Sequence, residues 1–214
     1  LFRSCVTMPG ALICIIIFVI WLKYQLSKSS KDEYQTSTLF WEKENQSNFV
    51  RRKDISNLDY ISIPLNELPF IDNASQEILY VQDSIKKLAT KKILNLTGYS
   101  NTDLKLTYGT ANINALSDYD QNYTLLIRNL HKWASLLYDE GKIIESKTVL
   151  LFAVKCRTDI SSTYILLATI YKDEKHPDKI QELIDIVNSQ NSLIKETVLN
   201  SLNTIYEKAC HIEK

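Results

Sequence analysis

The order of apolar and polar positions divides the chain into a long apolar run, a polar stretch, an irregular middle and a helical C-terminal half. From Ser4 to Leu22 there is no charged residue, and Ala11 to Leu22 (ALICIIIFVIWL) is apolar throughout, ending beside Trp21, Lys23 and Tyr24. A membrane-spanning helix needs about 20 mainly apolar residues and favours aromatic rings at its ends. Residues 4–26 are therefore expected to form a transmembrane helix. A cleavable leader would have a similar core, but LKYQLSKSS offers only Ser27 and Ser29 as small residues for a cleavage site. Residues 27–58 are polar, show no sustained period and are expected to be a linker. Leu39, Phe40 and Trp41 interrupt it and are expected to fold back onto the domain, because exposed apolar clusters are disfavoured.

Residues 59–119 have a mixed pattern. Pro64 and Pro69 favour extended backbone before them, which predicts a strap over Leu58–Phe70 anchored by Ile61, Ile63, Leu65, Leu68 and Phe70. Beyond the potential caps Asn73 and Ser75, Ile78, Val81, Ile85 and Leu88 recur at three- and four-residue steps, predicting an amphipathic helix to about Asn95. Leu96–Asp118 contains Gly98 and Gly109 among many Asn, Thr and Asp. It should be irregular, with short helical pieces at 104–108 and 111–117.

Helical periodicity resumes at Asn122 and continues almost to the end. A shift of 34 residues pairs Leu130 with Tyr164, Trp133 with Leu167, Ala134 with Ala168 and Leu137 with Tyr171; it also pairs Ser146 with Ile180, Leu150 with Ile184 and Ala153 with Val187. Gly141 stands where one helix should end, and Pro177 where another should begin. This pattern resembles the tetratricopeptide repeat, a helical hairpin of the same length with bulky, bulky, small and bulky residues in its first helix and small, aromatic and small in its second. The second copy departs from it at Ile180, Val187 and Ser192. The resemblance covers about residues 120–190 and implies an all-α superhelical domain over 120–209 that binds a protein or peptide partner on its concave face, with Tyr123, Asn129, Lys132, Tyr164 and Tyr171 as candidate contacts. Stacked hairpins need covers at both ends. Residues 192–208 and the helix around Ile78–Leu88 are the candidates.

Composition narrows the chemistry. The 214 residues carry 25 basic and 25 acidic side chains, a balance unsuited to nucleic acid, whose binding draws on phosphate neutralisation. The last 95 residues hold 12 basic and 13 acidic side chains, so the repeat surface is itself neutral. Four glycines and four prolines leave little room for a turn-rich β fold. Cys5, Cys14, Cys156 and Cys210 form no close pair, and His131, His176 and His211 lack ligand spacing, so no metal and no cofactor is expected. No nucleophile elbow or phosphate loop appears, and the chain is not expected to be an enzyme. Enrichment in Ile, Lys, Asn and Tyr suggests an AT-rich bacterial genome.

The leading expectation is a single-pass membrane protein whose helical domain acts as a scaffold for another protein. Lys23, Lys28 and Lys31 against Arg3 favour a cytoplasmic domain; the expectation of further basic residues upstream of Leu1 reverses that balance and places the domain outside the cytoplasmic membrane. Two other readings stand beside it. A membrane-anchored enzyme or small-ligand sensor would have a deep polar pocket within residues 98–118. A structural subunit of a membrane assembly would expose an extensive apolar face.

Overall fold

The 34-residue period of the sequence reappears in the ends of the helices. The computed structural model describes the backbone of residues 7–190 and 194–212, and the side chains of these residues apart from 7–13, 26–36 and 211–212. Within them the chain is all-α, with helices α1 (Thr7–Asn48), α2 (Gln76–Leu88), α3 (Asn101–Tyr108), α4 (Ile113–Asp139), α5 (Ile143–Lys155), α6 (Ser161–Asp173), α7 (Pro177–Ser189) and α8 (Lys195–Ile212). The last residues of α4 and α6 are 34 apart, and α5 and α7 start 34 apart and have equal length.

The same closure ends both first helices. After α4, Gly141 N–H donates to the Tyr138 carbonyl and Lys142 N–H to the Leu137 carbonyl, each at 2.9 Å; after α6, Lys175 N–H donates to Lys172 at 3.1 Å and His176 N–H to Tyr171 at 2.9 Å. This pair of bonds satisfies the orphan carbonyls of a helix end and requires left-handed backbone at the residue beyond it. Gly141 (φ 76°) and Lys175 (φ 60°) supply it. Pro177 then opens α7 at its first turn, where its missing N–H costs nothing.

Packing follows from the apolar stripes. α4 packs on α5, α5 on α6, α6 on α7, and α8 on both α6 and α7. Trp133, Ala134, Leu137, Leu150, Ala153, Leu167, Ala168 and Ile180 belong to one continuous core. Ser146 is buried and its hydroxyl donates to the Ala134 carbonyl at 2.7 Å, tying α5 to α4. α8 covers the C-terminal end through Val198, Leu202 and Ala209. α2 covers the other end by packing on α4, as the sequence predicts. Carboxylates at equivalent places lie between the successive layers: at Glu140, Lys142 first and then Ser75 at the start of α2 lower the pKa, and Glu174 accepts twice from Lys147 of α5, at 2.6 and 2.8 Å. Thus α2 stands towards the α4–α5 hairpin as α5 stands towards α6–α7.

The segments before α4 differ from the sequence reading. α2 stops at Leu88, short of Asn95, because Ile93, Leu94 and Leu96 turn inward as an extended piece; Ile61 N–H donates to the Ile93 carbonyl at 2.9 Å and Leu94 N–H to the Tyr119 carbonyl at 3.3 Å. Residues 98–118 are more regular than expected. α3 opens with a capping box between Ser100 and Asp103, and α4 begins at Ile113, lengthened by Leu116 in a second small core with Leu94, Leu96 and Leu104. At Gly109 between them (φ 86°), a Cβ would lie 2.4 Å from the Arg51 carbonyl oxygen. Only glycine fits this approach.

The expected polar linker is helical as far as Asn48. No glycine or proline occurs from residue 11 to 63, and the end of α1 is fastened to the domain. Lys43 pairs with Asp103 at 2.7 Å, Glu44 takes a hydrogen bond from Thr102 at 2.7 Å and another from Lys105, and Thr110 donates to the Ser47 carbonyl at 3.2 Å. No described α1 side chain enters either core, so the clasp is polar. Leu39, Phe40 and Trp41 do not fold back; they remain 66, 52 and 60% exposed, because the contacts with α3 are made further along by Lys43 and Glu44. Cys14–Leu22 are exposed on all sides of the helix. Among the described residues no helix is long and apolar enough to cross a membrane; the remainder of the span expected over residues 4–26 rests on the side chains of 4–13 and 26, which lie outside the described residues. The start of the expected cap, Ser192, does also.

Candidate functional site

The α5–α6 turn builds the wall of an open cleft. At the end of α5, Arg157 N–H donates to the Val154 carbonyl at 2.9 Å and Thr158 N–H to the Ala153 carbonyl at 3.3 Å, which again requires left-handed backbone, here on an arginine (φ 57°). Behind this turn lies a buried polar brace. Tyr123 of α4 donates its hydroxyl proton to the Arg157 carbonyl (2.8 Å), with the Cys156 carbonyl at 3.3 Å, and its oxygen accepts from the Asn95 amide at 2.9 Å. Asn95 in turn accepts from Thr97 N–H at 2.9 Å, fixing the extended segment opposite. On the far side, Tyr164 of α6 donates to the Thr158 carbonyl at 3.0 Å and meets Gln190, just beyond α7, at 3.3 Å.

Between the strap at Asp59–Ile61, the segment 94–99 and the ends of α5 and α7 this brace leaves a cleft of about 680 Å³. Its apolar lining is Ile61, Leu94, Val154 and Ile186, with Tyr99 at the lip. Its charged residues are Asp59, Lys155, Arg157 and Asp159. None of these four makes an ion pair or side-chain hydrogen bond among the described residues. The C-terminal ends of two helices face the same space, adding partial negative charge from their carbonyls.

Titratable groups behind the cleft are suited to structure rather than proton transfer. Burial pushes the Cys156 thiol up to about 12, so it carries no thiolate near neutrality. Burial also raises Tyr123 and Tyr164 above the ordinary phenol range, keeping both as neutral hydrogen-bond donors. His131 bridges two repeats through Ser162 at 3.0 Å and Thr163 at 3.3 Å, and burial lowers its pKa. Among the described residues no group of His, Cys, Asp and Glu is arranged to hold a metal.

Four of the five candidate contacts are used by the fold. Tyr123 and Tyr164 form the braces just described, and Tyr171 lies in the core. Asn129 donates to Ser84 of α2 at 2.8 Å. Only Lys132 is exposed. All five are candidates because first helices of such hairpins line the concave side, and the rings of Tyr123, Tyr164 and Tyr171 belong to the core between layers. Within residues 98–118, Thr102 and Asn112 are buried and hydrogen-bonded, Leu104 and Leu116 are core, Tyr99 lines the cleft, and Asp118 lines an open hollow with Lys91, Lys92 and Tyr119. Sequence reasoning missed Asn95, Lys155, Arg157, Asp159 and Ile186. The one local signal for Lys155, Arg157 and Asp159 was a helix, α5, that ends at Lys155 with no glycine beyond it.

Compared with protein-family models, curated proteins and solved structures, the chain finds no match. The helical-repeat description therefore rests on the chain's own internal geometry.

Proposed function

We propose that this protein is a membrane-held scaffold: a tetratricopeptide-like helical array that binds another protein, carried on α1. The observation that carries the reading is the repetition itself, in which the left-handed closures at Gly141 and Lys175 recur 34 residues apart within one stack. Arrays of this kind hold side chains from several hairpins on one rigid surface, which suits partner binding. The apolar run supports the anchor. Ile15 to Leu22 are unpacked around the whole circumference of α1, a state that bilayer lipid would cover and water would not. The helical continuation to Asn48 makes the connection a spacer of about 1.5 Å per residue rather than a loose tether.

The test uses the full chain in its native membranes, with a photo-crosslinking side chain placed at Tyr99, Lys132 or Ile186. One reproducible protein adduct, in a membrane fraction that resists alkaline washing, is the expected result. Loss of the chain from that fraction on Ile17→Arg is expected as well. Absence of any adduct at all three positions would remove the scaffold reading, and a chain that washes off the membrane would remove the anchor.

A further inference from the structure

The cleft gathers charged side chains of both signs around an apolar floor. Several close opposite charges on the domain pair with each other, among them Lys87–Asp83, Lys142–Glu140, Lys147–Glu174 and Lys179–Glu182. Lys155, Arg157 and Asp159 lie within five positions of one another and do not pair, and Asp59 faces them from the strap. Among the described residues both signs therefore border one apolar floor without an ion-pair partner. The wall that carries them is also held in place at a cost. Arg157 occupies left-handed backbone, which disfavours a residue with a Cβ relative to glycine, and its carbonyl is pinned by Tyr123.

An occupant must match three features together: an apolar side chain for the floor, an anion for Lys155 and Arg157, and a cation for Asp59 and Asp159. In an extended peptide successive side chains point to opposite faces, so one residue can enter the floor while its neighbours reach the rim. The cleft lies open between the strap at 59–61 and the segment 94–99 on one side and the ends of α5 and α7 on the other, a slot that suits such a chain. Tyr99, 53% exposed at the lip, adds a flat aromatic surface for an apolar or cationic side chain.

We propose that this cleft binds an extended peptide segment of the partner protein, with one apolar side chain on Ile61, Leu94, Val154 and Ile186, an acidic residue against Lys155 and Arg157, and a basic residue against Asp59 and Asp159. The proposal rests on the scaffold reading and adds the place and chemistry of contact.

The test pans a random octapeptide library, displayed on phage, over the full chain in detergent micelles. Enrichment of peptides carrying an apolar residue flanked by one acidic and one basic residue is expected. Such peptides should bind at least tenfold more weakly to the Arg157→Glu/Asp159→Lys double variant and to Ile186→Asp, while far-UV circular dichroism stays unchanged. Ile186 is 39% exposed, so that single variant decides the matter if the double variant does not fold. No enriched motif, or equal binding to wild type and Ile186→Asp, overturns the peptide site. A partner crosslinked only outside the cleft would overturn it too while leaving the scaffold reading intact; a chain with no partner at all would fail at the earlier step.

Discussion

The α4–α5 and α6–α7 hairpins share their end geometry and differ in what fills it. Where the first has Trp133, the second has Leu167; where the first has Ser146 bonded to the Ala134 carbonyl, the second has fully buried Ile180; where the first has Gly141, the second has Lys175 in the same left-handed backbone. The layer also differs on the outer side. Phe70 of the strap packs on Trp133 with ring centroids 5.0 Å apart, whereas α8 covers the second hairpin with buried Val198, Leu202 and Ala209 and a partly buried Tyr206. Position in the stack thus decides which member of a residue class is used. The period survives because helix ends and inter-helix spacing impose it, not because each place demands one residue.

That comparison can be broken most forcefully at its largest side chain. Trp133→Ala removes a fully buried ring and its contact with Phe70, and should cost about 3–5 kcal/mol, whereas Leu167→Ala at the equivalent place should cost about 2–5 kcal/mol. Denaturant melts of both variants check the order. Equal losses would mean that the strap adds nothing to the first layer.

The small position gives the next effect. Ile180→Ser should cost about 2–4 kcal/mol, because it opens a cavity and buries a hydroxyl. Ser146→Ala should cost only about 1 kcal/mol, the worth of one buried hydrogen bond. Calorimetric melting of each distinguishes them, and no loss for Ser146→Ala would contradict the assignment of its hydroxyl to the Ala134 carbonyl.

The two closures should respond in opposite directions. A Cβ at Gly141 meets nothing within 4 Å, so Gly141→Ala is penalised only through its backbone, by about 1 kcal/mol. Lys175→Gly should stabilise by a few tenths to about 1 kcal/mol through relief of the same strain. Thermal midpoints moving in the same direction would contradict the shared geometry.

The smallest effect is at Glu140. Lys142 first, and then Ser75, hold its carboxyl below the ordinary range. A depressed carboxyl contributes stability above its unfolded pKa and loses it as pH falls through the folded value, so its hold on the start of α2 should weaken below about pH 4.5 as the group protonates. Hydrogen exchange at the first turn of α2 should rise across that window and be less pH-dependent in Glu140→Gln. An unchanged pH dependence in the variant would assign the effect elsewhere.

Much of the stack was legible in the sequence because its signals are local. Gly141 ended a helix, Pro177 began one, the 34-residue shift set the pairs, and the apolar stripes of α2 and α8 marked the covers. What escaped depends on contacts between distant residues. Tyr123 reaches carbonyls 33 and 34 positions away, and nothing near Tyr123 shows that its hydroxyl is already used. The same holds for Asn95, which links the extended segment to that brace. α1 escaped for another reason: its polar half buries no stripe in the described cores, so it has no amphipathic period to detect. The absence of glycine and proline from residue 11 to 63 was the available clue.

A crystal structure of the full chain in detergent tests the central claim most directly, that two copies of one 34-residue hairpin form a stack with an open, charge-rimmed cleft at the α5–α6 turn. The account predicts that residues 127–155 superpose on 161–189 with Gly141 on Lys175, and that Arg157 stands in left-handed backbone beside an open cleft. Superposition in another register, or a cleft closed by paired Arg157 and Asp159, would contradict it.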